Sequence, residues 1–207
     1  MTASATATAR PTLAHDSSAA PLPASWVSPA GPLIPRGVLV SAVAAGLCGV
    51  WAAAVWTATH LQADPRLHSV ALFAHLVSLV VGFGGVLTVD WLGLQWLMGR
   101  RSLPEVLRTA DGVHLPVWLG LAGLVGSGVL LHPDPASPLT QVKLVLVLVV
   151  AMNGLHAWTL QPRLSALCAA PGAAAPRLLL VRAVSTVLVS QLGWWGATVI
   201  GFLNTRL

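Results

Sequence analysis

The stretch ALFAHLVSLVVGFGGVLTVDWLGLQWL, residues 71–97, decides the fold. Extended back to Leu67, it runs to Val89 without one Asp, Glu, Lys or Arg. About 20 apolar residues suffice to cross the hydrocarbon of a bilayer as a helix, so this segment reads as a membrane span. Outward from it, four more runs of the same kind appear, at residues 37–58, 113–131, 142–160 and 178–203, with the quoted one covering 67–98. The connections hold the breakers: Asp64-Pro65, Pro104, His132-Pro133-Asp134-Pro135, and the stretch from Pro162 to Pro176. The whole composition agrees. Of 207 residues 56% are apolar and only 8% charged, whereas a soluble domain needs about 25% charged residues to solvate its surface. The expected fold is all-α, an integral membrane bundle of five transmembrane helices over residues 35–207. Residues 1–34, rich in Ala, Ser, Thr and Pro and without an apolar face, read as a disordered cytoplasmic tail.

The net charge of +5 would suit nucleic acid in a soluble protein. Here the charges sit at the ends of apolar runs, and they read as topology signals instead; no nucleic-acid partner is expected. With the N-terminus inside, the inner connections hold Arg10, Arg36, Arg100, Arg101, Arg108, Arg163, Arg177 and Arg182, against Arg66, Lys143 and Arg206 outside. The positive-inside rule then puts the N-terminus in the cytoplasm and the C-terminus outside a plasma (inner) membrane. The lipid bilayer is the expected partner, with other membrane subunits or a homo-oligomer open. Gly82, Gly84, Gly85 and Gly93, then Gly120, Gly123, Gly126 and Gly128, then Gly193, Gly196 and Gly201 supply small residues for close helix packing. Trp91, Trp96, Trp158, Trp194 and Trp195 read as interfacial belts. Cys48 and Cys168 are too dissimilar in setting to suggest a disulfide framework.

No GxxxxGK[ST], no GxGxxG ahead of a helix and no GxSxG nucleophile elbow occurs, and five spans show no inverted repeat of a solute carrier. The informative residues are ionisable groups at membrane depth, which are costly there and mark function by default. His60, His68 and His132 fall at the outer ends of the first three helices, near Asp64 and Asp134, and could hold copper or another transition metal. His75 lies two turns deeper than His68 on the same face, about 10 Å further in at 1.5 Å per residue. Lys143 opens the fourth helix from the same side, and Lys143 or Ser78 is within plausible reach of His75. Toward the cytoplasm, His114 and His156 occupy similar depths on different helices, as the two axial ligands of a b-type haem must. Asp90 and Arg182 read as a structural ion pair. The bland alternative for each single His is an interfacial side chain without a ligand.

The segments AHLVSLVVGFGGVLTVD (residues 74–90) and PLTQVKLVLVLVVAMNGLHAW (residues 138–158) resemble the copper-resistance D type membrane domains and the related HemJ-type protoporphyrinogen oxidases. The resemblance spans residues 67–160. It implies a small polytopic bundle in which His75 and Lys143 are the functional pair. The oxidase-like relatives imply a bound haem b, the copper-like ones the passage of copper. Three functions follow as expectations: a haem- or metal-holding bundle without catalysis of its own or serving electron transfer, a porphyrinogen-oxidising enzyme, and a structural membrane subunit with no cofactor.

Overall fold

The structure is a computed structural model that describes residues 35–61, 64–169 and 176–204; the tail read over 1–34 lies outside the described residues. The described residues form five helices: α1 (Arg36–His60), α2 (Pro65–Leu97), α3 (Leu103–Val129), α4 (Pro138–Ala169) and α5 (Arg177–Asn204). All five are long and apolar enough to cross a membrane, and they belong to one unit, Arg36–Leu207. α3 and α4 overrun the apolar runs that announce them. α2, with 33 residues, is about 50 Å long against a hydrocarbon core of about 30 Å, so its ends project beyond it.

Two helix starts use residues that also read as breakers. Asp64 caps α2, its Oδ1 accepting from the Arg66 amide at 2.7 Å, with Pro65 in the first turn where a missing N–H costs nothing. α3 begins ten residues before the apolar run at Val113, at a capping box in which the Glu105 side chain accepts from the Ser102 amide at 3.0 Å. The S-x-x-E signature at 102–105 was there to signal this start. At the other end of the chain α4 continues through Pro162 to Ala169, so that proline does not break the helix as expected. It lies exposed, past the buried Leu160, where only one carbonyl is left without its intrahelical donor.

α2 and α3 form the tightest pair, antiparallel, with small residues at the seam. A Cβ on Gly120 would collide with the Gly82 backbone, and one on Gly123 with the Ser78 hydroxyl; one on Gly85 would stand 2.8 Å from Val117 Cγ2. The facing positions thus run 75/127, 78/123, 82/120 and 85/117 in a constant register. In lipid, where apolar burial drives nothing, this close backbone approach is what holds two helices together. α4 and α5 form the second antiparallel pair, with Gly193 against Val150 and Gly196 against Leu146. Asn153 Nδ2 donates to the Thr186 carbonyl at 2.8 Å and Asn204 Nδ2 to Thr140 Oγ1 at 3.2 Å. Phe83, Leu121, Val150, Ala151 and Trp194 join the two pairs in one core.

Trp194 is therefore no belt residue. Its ring is stacked on Phe83 at 5.6 Å and is 4% exposed, because Gly82 leaves room for it, whereas Trp91 and Trp195 remain on the outer surface of the helices. Gly84, Gly93, Gly126 and Gly201 meet no neighbour, so only part of the glycine pattern serves packing. α1 buries no residue and leans on α3 and α4, tied by the Trp51 indole donating to the Leu144 carbonyl at 3.0 Å.

Candidate functional site

The register of α2 on α3 brings His75 to Ser127. His75 Nδ1 and Ser127 Oγ are 2.9 Å apart, and Ser127 Oγ donates to the Gly123 carbonyl at 2.5 Å. A hydroxyl has one hydrogen, and Gly123 takes it. Ser127 can then only accept from the imidazole, so Nδ1 carries the proton and Nε2 is left with a bare lone pair. Gly128 lets the ring lie along α3: a Cβ there would stand 3.6 Å from His75 Cε1.

Lys143 is half-buried on α4. It lies five residues inside α4 rather than at its opening, since the helix begins at Pro138. Around it run the other polar contacts of this level: Trp51 on the Leu144 carbonyl, and the buried Thr140, 2% exposed, with Asn204. All five helices thus contribute a polar group to one band. Reading the residues alone pointed to Lys143 and Ser78 as partners of His75, and it missed Ser127. Ser78 instead faces Gly123. The signal that could have found Ser127 is its place on the stripe 120, 123, 127, the face of α3 that small residues mark out.

The outer histidines divide. His68 and His132 stack, ring centroids 5.7 Å apart and planes 15° from parallel. His60 does not join them: it stacks on Trp56 of its own helix, with Nδ1 donating to the Trp56 carbonyl at 2.8 Å. Among the described residues no group of three or more His, Cys, Asp or Glu could hold a metal ion, so the trio His60, His68 and His132 is not assembled as one site. Toward the other end, His114 Nε2 accepts from the Trp118 indole at 3.0 Å, and Trp118 packs on Gly154. His156 instead lines an open groove of about 400 Å³ between α4 and α5, with Met152, Asn153 and Val189.

Asp90 takes a partner other than the one expected. Its Oδ2 accepts from Gln191 Nε2, and the Gln191 carbonyl oxygen accepts from the Trp195 indole at 3.1 Å. Arg182 lies nine residues before Gln191 on α5, more than two turns away, and is exposed. The amide neutralises the hydrogen-bonding demand of the carboxylate without bringing a second charge into the bundle. Compared with known proteins, the chain matches no family model, no curated protein and no solved structure.

Proposed function

We propose that this multi-pass membrane protein holds a haem b on Nε2 of His75, with Lys143 beside it, and serves electron transfer. The observation that carries the reading is the Ser127 lock. A ligating imidazole characteristically donates its other ring N–H to an acceptor, which sets the tautomer and aims the free nitrogen. His75 does so on Ser127 within an apolar bundle, where an imidazole nitrogen without a partner is costly. The scarcity of nearby donors favours haem over a bare copper ion at this depth. An ion in the bundle would need three or four protein ligands, while a porphyrin supplies four of the iron's ligands itself.

The test is an absorption spectrum of the detergent-purified chain together with its metal content. A Soret band present in the parent and absent from His75→Ala, at equal folded yield, supports the reading. Lys143→Ala should reduce retention less, because an ammonium must lose its proton before it can ligate. Bound copper without a Soret band would move the assignment to the copper reading. Full retention in His75→Ala with loss in His114→Ala or His156→Ala would move the site to the cytoplasmic half. A parent with neither haem nor metal leaves the subunit without cofactor as the correct account.

A further inference from the structure

We infer that the groove between α4 and α5 holds one anionic phospholipid, with an acyl chain along the groove and the phosphate between Arg163 and Arg182. The groove has a volume of about 400 Å³ and is lined by Leu148, Val149, Met152 and Val189 together with His156. Val149, His156 and Arg163 follow one another at intervals of seven residues on α4, so the three share one helix face. Val189 and Arg182 stand in the same relation on α5. Each arginine thus lies on a face bordering the groove, about 10 Å beyond His156 or Val189 at 1.5 Å per residue. Helical side chains lean toward the N-terminus of their own helix, so on this antiparallel pair the two arginines lean toward each other's level.

The charges at this end are an independent observation. Both arginines are exposed, and among the described residues neither guanidinium has an acid or a hydrogen-bond partner. Asp111, the acid at that level, accepts from Gln161 on the side of α4 that faces α3. Two uncompensated cations beyond an apolar groove fit a ligand that is an anion at one end and hydrocarbon at the other. A phosphodiester takes paired N–H donors from guanidinium groups, and basic pockets between transmembrane helices recognise lipid head groups in this way. The His156 ring, exposed in the groove and without a partner of its own, stands between head and tail, where it can donate to an ester carbonyl. A second copy of the chain seated here across a two-fold axis would bring the same two arginines against each other, so charge favours a lipid. The proposal stands whether or not His75 carries haem.

The experiment adds phosphatidylglycerol, phosphatidylcholine or inorganic phosphate to the delipidated full chain in detergent and follows binding by native mass spectrometry. The parent should retain a single phosphatidylglycerol more tightly than phosphatidylcholine or phosphate. Arg163→Gln and Arg182→Gln should each weaken phosphatidylglycerol binding about fivefold, the usual effect of one basic residue near an anionic lipid, and leave phosphatidylcholine unchanged. Both variants should melt as the parent does without lipid, since neither arginine has a partner to lose. Met152→Trp, which fills the groove, should weaken both lipids. Arg100→Gln removes the same charge from the α2–α3 turn and should bind as the parent does. No preference for phosphatidylglycerol, unchanged binding in both Arg163→Gln and Arg182→Gln, an equal loss in Arg100→Gln, or a lipid-free dimer that Met152→Trp dissociates would each overturn the site.

Discussion

At the scale of single residues, two hydrogen-bond chains tie polar side chains of neighbouring helices together. In the first, Ser127 is positioned by its own bond to Gly123 and holds His75 by acceptance. If His75 holds the proposed haem, Ser127→Ala should weaken its retention about 10–100-fold, the usual cost of losing an orienting partner, while thermal stability falls little. Ser127→Thr should restore most of the retention, which separates loss of the oxygen from loss of packing. In the second chain, Gln191 satisfies Asp90. Gln191→Leu should destabilise the bundle by about 1–3 kcal/mol by stranding a half-buried carboxylate, and Asp90→Asn in that background should recover part of the loss. Arg182→Gln should leave the melting temperature unchanged. A loss there as large as in Gln191→Leu would revive the ion pair that the residues alone suggested.

At the scale of elements, the α2–α3 seam is what makes the site. Because Gly82 and Gly120 touch backbone to backbone, the helices are close enough for a serine on one to meet an imidazole on the other. Gly120→Val should cost about 1–3 kcal/mol or more by forcing the pair apart, and should lose cofactor although it lies about two turns from Ser127. Gly126→Ala, which meets nothing, should do neither; thermal melts with absorption scans read both effects. Were Gly120→Val to keep stability and cofactor together, the seam would not be positioning His75. The capping box at Ser102 explains why α3 starts well ahead of its apolar run: its first turn carries its own hydrogen-bond partners.

At the scale of the whole molecule, two antiparallel pairs, α2–α3 and α4–α5, meet at Phe83 and Trp194, and α1 is added on the outside. The polar band of Trp51, His75, Ser127, Lys143, Thr140 and Asn204 lies toward the ends of the helices at which α2 and α4 begin. With the arginine distribution, that end is expected to face outward. A reporter fused after Leu207 should then be active outside the membrane, and one inserted between Arg100 and Arg108 only in the cytoplasm. The opposite pattern would reverse the side of every histidine without changing any contact between them.

The number of helices and their fitness to cross a membrane could be read directly from residues 37–203, because lipid demands long uncharged runs and that demand is local along the chain. Helix ends were less legible, since Asp64-Pro65 and Ser102-x-x-Glu105 both stop one segment and start the next. Partners were not legible at all. That His75 meets Ser127 rather than Ser78, that Asp90 meets Gln191 rather than Arg182, and that Trp194 is core rather than belt depends on the rotation and register of one helix against another. Small side chains scattered over several faces permit many such registers. Only the assembled bundle selects among them, through backbone contacts such as Gly82 on Gly120 that no single helix contains.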